Sequence, residues 1–327
     1  MINFTFLTEL VQLYHEVESI MLIDIVKIFC EVDDFYQAFE KTAQQERLPS
    51  PQVHQVESCT FSLSPSEIMT IVIAFHLSPY RTFKHFYLQH VQRYWREAFP
   101  GLVSYPRFIA LQPHILIPLC AYLNSRKGQV TGIAFIDSTP LIVCHNRRIH
   151  SHRVFKQLAK RGKNSVGWFY GFKLHLIVNE YGELLAVKLT PANVDDREPV
   201  PDMTAGIFGK LFGDKGYISQ KLFDLLFERG LQLITKLKKN MKNKLMPLMD
   251  KILLRKRAII ETINDQLKNI SQIEHTRHRR IAGFMVNLLG GLIAYTYRDK
   301  KPSLSINTTG ISTLPIALWS KFMFFKE

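Results

Sequence analysis

Three acidic residues stand where apolar neighbours make an acid costly. Asp137 interrupts the run Ile133-Ala134-Phe135-Ile136-Asp137-Ser138-Thr139. A charge inside a buried strand costs several kcal/mol unless a cation or a donor compensates it. Asp214 repeats the pattern at the end of Leu211-Phe212-Gly213-Asp214, just before the glycine turn Lys215-Gly216-Tyr217. Glu261 lies in the helical stretch Arg257-Ala258-Ile259-Ile260-Glu261-Thr262-Ile263-Asn264-Asp265-Gln266-Leu267-Lys268. Hard carboxylate oxygens suit magnesium or manganese, and two such ions serve an in-line displacement at phosphorus. Asp137, Asp214 and Glu261 are therefore expected to hold two divalent ions together, a role that asks for no unusual pKa in any of them. Asp on a strand is short and fixes one side; Glu on a helix reaches in from the other.

The helix supports that arrangement. Isoleucines and leucines at 252, 259, 260, 263, 267 and 270 form one arc that should pack on a sheet. Arg257, Glu261, Asn264 and Lys268 line its border as a stripe, placing a carboxylate between two cations suited to phosphate. The bland alternative is a solvated Arg257–Glu261 pair worth a few tenths of a kcal/mol. Asp265, one turn on and farther from the apolar arc, is the second choice for the helical acid.

Charge points to the substrate. The 327-residue chain carries 42 Lys and Arg against 28 Asp and Glu, a formal net charge of +14. A field of that sign over a globular composition, 46% hydrophobic, favours a polyanion, nucleic acid first among them. No acid occurs between Ser138 and Asn179, while Arg147, Arg148, Arg153, Lys156, Lys160, Arg161, Lys163 and Lys173 all fall there. A second basic block runs from Lys236 to Arg257, relieved only by Asp250. The scattered Cys30, Cys59, Cys120 and Cys144 read as reduced thiols of a cytoplasmic protein. The N-terminus lacks a signal-peptide pattern. Ile281 to Tyr297 is nearly all apolar but short for a bilayer and contains Asn287, so it reads as a buried helix.

The elements that must position these groups follow in order. Residues 1 to 45 read as one or two helices, and Lys41 to Phe61 as a linker. Ser64-Pro65-Ser66-Glu67 is a helix start with a capping box. Tyr80 to Trp95 and Ser104 to Leu123 add two helices. Together they suit either a helix-turn-helix DNA-binding head or a helical subdomain with an aromatic core. Strands are expected at Gly132 to Ile142, Trp168 to Val178, Glu183 to Thr190, Leu211 to Gly213 and Leu231 to Leu237. The second and third should form a hairpin around Asn179-Glu180-Tyr181-Gly182. Helices are expected at Ser219 to Arg229 and Asp250 to Ile270. This is an α/β order of the ribonuclease-H type: a mixed sheet flanked by helices, after an all-α N-terminal region. Domain limits read as 1–125, 126–300 and a divergent tail at 301–327.

Other polar residues have plainer readings. Asp195, Asp196 and Glu198 sit in a proline-flanked loop and read as turn formers; Asp202 reads as the cap of the next helix. His150 and His152, and His275 and His278, have metal-like spacings without the partners a zinc site needs. They read as phosphate or solvent contacts. Neither a phosphate-cradling G-x-x-x-x-G-K loop nor a serine-nucleophile elbow is present.

Asp137 in FIDST, Asp214 in GDKGY and the helix RAIIETINDQLK, with its Arg-(3)-Glu-(6)-Lys spacing, resemble the DDE transposases of bacterial insertion sequences. GWFYGFKLHLIVN, LTPANVDDREPVPDM and QIEHTRHRR are similar to one group of them, over about residues 25 to 302. The resemblance implies a ribonuclease-H-like catalytic domain and two magnesium or manganese ions on Asp137, Asp214 and Glu261. It implies a homodimer acting on double-stranded DNA, the terminal inverted repeats and the target, with no membrane involved. Arg257 and Lys268 would contact DNA beside the triad, joined on charge by Lys215, Arg147, Arg148 and Lys163. Hydroxyl attack would come first from water and then from a DNA 3′ end. Two departures stand out. Leu254 replaces a tyrosine of the longer signature, and Lys238 to Asp250 leaves no room for an insertion domain. A nuclease that cuts without joining and a domesticated, non-catalytic DNA-binding protein are the alternatives.

Overall fold

A computed structural model describes residues 24–45, 62–164, 166–236, 246–274 and 278–304. The N-terminal part is helical. Helix α1 spans Ile25–Gln45 and α2 Pro65–Leu77. The capping box forms as read: Ser64 Oγ accepts from the Glu67 N–H at 3.2 Å and Glu67 Oε2 from the Ser64 N–H at 2.6 Å. Helix α2 is apolar all round and buried from Ile68 to His76, as a core helix must be. Helix α3 starts at Phe83–Phe86 and runs through a π turn, Tyr87–Val91, into Gln92–Tyr94. The helix expected over Ser104 to Leu123 is split into α4, Tyr105–Leu111, and α5, Leu116–Ser125, by a 3-10 turn holding Pro113. Proline has no N–H to continue the ladder. The aromatics of α3 pack on one another and on Tyr105 and Phe108. They are core, continuous with the helix-covered face of the sheet.

Strand β1 is Ile133–Cys144, β2 Lys160–Lys163, β3 Trp168–Asn179, β4 Leu184–Pro191, β5 Gly209–Gly213 and β6 Leu231–Thr235. β3 runs antiparallel to β1, and β2 and β4 pair with successive parts of β3. β5 is parallel to β1 and β6 parallel to β5. β4, β3 and β1, each antiparallel to its neighbour, followed by β5 and β6 in parallel make the ribonuclease-H-like sheet, with β2 as a sixth strand on the β3 edge. The β3–β4 hairpin turns at Gly182, whose φ of +74° favours glycine. β2, with the sequence KRGK, has no apolar alternation and was not expected. It forms because Gly162 lets the chain lie against the Ala192 backbone.

Short helix α6, Val200–Met203, precedes β5, and α7, Gln220–Glu228, joins β5 to β6. Asp202 lies inside α6 and bonds Lys188 at 2.5 Å, so it does not cap that helix; Pro199 holds the cap position. The helix expected from Asp250 to Ile270 breaks at Arg257 into α8, Leu248–Lys256, and α9, Ala258–Asn269. The break rotates the apolar arc. Ile252 and Ile270 are 39% and 50% exposed, while Leu253 and Leu254 turn inward with Ile259, Ile260, Ile263 and Leu267. Buried Asp250, paired with Lys210 at 2.6 Å, ties α8 to β5.

Helix α10, Ile281–Thr296, is a core helix, buried from Val286 to Tyr295. Its Gly290 sits where a Cβ would lie 2.7 Å from Val72 Cγ1, so glycine permits the close crossing of α10 on α2. Among the described residues one helical run, Tyr105–Ser125, is long and apolar enough to cross a membrane, and 44% of its most apolar window is buried within the protein. A second apolar layer, with Ile136, Ile177, Leu211, Tyr217, Leu226 and Leu233, fills the other face of the sheet.

Candidate functional site

The site forms because β5 is short. β1 pairs with β5 only at Ile133, Ala134 and Phe135, so from Ile136 onward that edge of β1 has no strand beside it among the described residues. Helix α9 lies along the vacancy and turns its polar stripe toward the strand. Arg257 Nη2 donates to Glu261 Oε1 at 2.7 Å, and Nη1 reaches Asp137 Oδ1 at 3.5 Å. Asn264 Nδ2 donates to Asp137 Oδ2 at 3.2 Å. Lys268 Nζ donates to the Pro140 carbonyl at 2.6 Å. The four stripe residues therefore meet β1 or one another, and the pair Arg257–Glu261 is not merely solvated.

Asp137 is mostly buried, and burial pushes its carboxyl up to about 6. The Arg257 guanidinium and the Ser138 N–H pull it down, while Asp214 and Glu261 push it further up. Desolvation outweighs the ion pair, whose longer contact is a weak one. An unusual pKa was not expected from the residues alone; it follows from the depth at which the strand holds this side chain.

Asp214 ends β5 and caps the 3-10 turn Lys215–Tyr217, its Oδ1 accepting from the Gly216 N–H at 2.6 Å. The parallel register that sets Phe135 beside Phe212 carries Asp137 and Asp214 to the same end of the sheet, and Asp214 adds to the upward push on Asp137. Glu261 comes from the helix side with its side chain 57% exposed. Among the described residues no three His, Cys, Asp or Glu side chains are gathered closely enough, as they stand, to hold a metal ion. The donor chemistry nonetheless fits a hard divalent cation. Asp214 and Glu261 both act on the charge of Asp137, and the buried Asn264 Oδ1 has no hydrogen-bond partner among the described residues. Arg257 is the cation that compensates Asp137 in this arrangement. Asp265 bonds Asn269 at 2.5 Å on the exposed side of α9.

Sequence reasoning missed a polar cluster next to Asp137. Asp196 is more than a turn former: its Oδ1 accepts from Ser138 Oγ and pairs with Lys173 Nζ, both at 3.0 Å. Lys173 also donates to the Val194 carbonyl at 2.9 Å. Buried Tyr217 lies beside Ser138, its phenol pushed up by burial and then by Asp137, Asp196 and Asp214. His175 is pushed down to about 4 by burial and meets Thr190 Oγ1 at 2.8 Å. The signal was there in β3, where Lys173 and His175 alternate with apolar residues. Asp195 is a turn former, accepting from the Arg197 N–H at 2.9 Å and pairing with its side chain.

The remaining basic candidates divide. Lys215, Arg147, Arg148 and Lys163 are exposed, with Lys163 Nζ 5.8 Å over the Trp168 ring. Lys268 turns inward. Much of the second basic block, residues 237–245, lies outside the described residues, as do His275 and residues 305–327 of the tail. His152 is no solvent contact; its ring stacks on Phe155 and meets Tyr170 edge-on.

The fold is that of a ribonuclease-H-like domain, a mixed sheet flanked by helices, with Asp137 on β1, Asp214 just after β5 and Glu261 on α9. Residues 127–281, from just before β1 to the first residue of α10, match the family model of the transposase DDE domain. A comparison with curated proteins found no match.

Proposed function

We propose that this protein is a DNA transposase that cleaves and joins DNA strands at the terminal inverted repeats of its own element, as a homodimer on the DNA. The observation that supports the reading is buried Asp137 held by Arg257 and Asn264 of α9, with Arg257 also bonded to Glu261 and with the charges of Asp214 and Glu261 acting on Asp137. Two magnesium or manganese ions held by these carboxylates would supply Lewis acidity for the attacking and leaving oxygens. The protein's own groups prepare the place. Asn264 fixes the Asp137 carboxylate from one side, and Arg257 holds Asp137 and Glu261 in reach of each other. A guanidinium that bridges two carboxylates is also matched to a phosphate, so Arg257 is placed to take a DNA phosphate when the carboxylates turn to cations. Lys215, Arg147, Arg148 and Lys163 lie exposed for backbone phosphates, which position DNA without reading its sequence.

The test is a labelled duplex carrying the element's own end, incubated with magnesium. Nicked and joined products are expected from the wild type, and neither from D137N, which should still shift the duplex. Cleavage without joining would mark a nuclease, and binding without cleavage a non-catalytic DNA-binding protein. If E261Q cleaves normally and D265N does not, the helical acid is Asp265.

A further inference from the structure

The free edge of β1 does more than bring Asp137 against α9. In a sheet, backbone groups on an unpaired edge need partners from elsewhere. Here α9 and the segment after it supply them. The Pro140 carbonyl accepts from Lys268 Nζ at 2.6 Å, and the Ile142 N–H donates to Glu274 Oε1 at 3.0 Å. The two side chains are themselves paired, Lys268 Nζ to Glu274 Oε2 at 3.2 Å. Both are largely covered, 20% and 25% exposed. Proline at 140 suits the position, since an edge-facing nitrogen has no ladder bond to give.

We infer that Lys268 and Glu274 form a strut that fixes the register of α9 against β1, and that Lys268 is a positioning residue and not a DNA contact. Asn264 and Lys268 are four residues apart, about 6 Å along the helix. Their partners Asp137 and Pro140 are three residues apart, about 10 Å along the strand. The long lysine side chain spans the difference. One turn beyond Asn264, the strut stops α9 from sliding along the edge, and a slide of one residue would carry Glu261 about 1.5 Å from its place opposite Asp137. An ammonium spent on a carbonyl and a carboxylate has little left for a phosphate. This inference rests on the transposase reading for the reaction that is being positioned, and it assigns Glu274 a part equal to that of Lys268.

The experiment compares K268M, E274Q and the double variant of the full chain on a duplex carrying the element's end. Binding is followed as a function of salt, and cleavage under single-turnover conditions with magnesium. A strut predicts that all three bind DNA within about twofold of the wild type with the same salt slope. It also predicts that each single variant cleaves at least about tenfold more slowly, and that the double variant is little worse than either. E274Q keeps the side chain's shape, and a thermal melt of each variant separates loss of register from loss of fold. The inference is overturned if K268M lowers the salt slope by about one phosphate while E274Q cleaves normally, which is how a DNA contact behaves. Normal cleavage by both single variants overturns it as well. D137N cleaving like the wild type would instead remove the transposase reading, and the salt-slope comparison would still decide whether Lys268 touches DNA. A wild type that binds no DNA removes both.

Discussion

Arg257 meets Asp137 at 3.5 Å across 120 residues of chain, and holds Glu261 at 2.7 Å with its other nitrogen. One side chain on the helix break thus serves a strand acid and a helix acid at once. The buried carboxylate it serves is only partly compensated, since Asp137 still titrates near 6. That balance sets the first two expectations.

An acid whose folded pKa lies above its ordinary value favours the fold while protonated. The contribution of Asp137 is therefore complete below about pH 4 and lost as the pH rises through about 6. A rise from 3.8 to about 6 corresponds to roughly 3 kcal/mol as a ceiling. D137N, measured by denaturant unfolding in chelator, should be more stable than the wild type at pH 8 and no more stable at pH 4. The gain should fall short of the ceiling, because Arg257 loses a partner. Equal effects at both pH values would show that Asp137 is not held in a desolvated place.

Removing the guanidinium leaves two carboxylates facing each other. R257M should lose about 1–3 kcal/mol at pH 8 and less at pH 5, where Asp137 is protonated. Millimolar magnesium or manganese should restore part of the loss by supplying the missing positive charge. R257K should not match the wild type, because one ammonium does not reproduce a fork on two acids. A stability insensitive to divalent ions in R257M would argue against a cation site on these acids.

Asp196 links the loop after β4 to β1 and β3. D196N keeps an oxygen for Ser138 but leaves Lys173, whose side chain is mostly covered, without its counter-ion. A loss of about 1–3 kcal/mol is expected from unfolding curves. K173M should cost less, and the D196N and K173M effects should be clearly less than additive. Additive losses would mean that the pair seen here is not an energetic unit.

Leu254 occupies the place of a tyrosine in the transposase signature and is buried against the core. L254Y should therefore overpack the junction of α8 with the sheet and cost about 1–3 kcal/mol in thermal or denaturant unfolding. It should give no new contact to DNA, which a band-shift would register as unchanged affinity.

Much of the sheet was legible because its strands announce themselves locally. β1, β3 and β4 are long apolar runs, and the hairpin between the last two turns at a glycine that the backbone needs. The short strand β2 was not legible, since KRGK becomes a strand only by borrowing the edge of β3. Nor was the break at Arg257, where a helical pattern continues through a residue whose carbonyl bonds Ile260 instead of the residue one turn on.

By itself the sequence determined which acids stand in apolar company and which residues share the stripe of α9, because strand alternation and helical period are local properties. Only the tertiary structure decided what the stripe touches. Asn264 and Lys268 have the same phase as Arg257, yet one reaches the Asp137 carboxylate and the other a backbone carbonyl. Their partners are set by how far β5 extends beside β1. Asp196 became a neighbour of Ser138 for a similar reason: strand pairing brings together segments whose separation along the chain carries no trace of the contact.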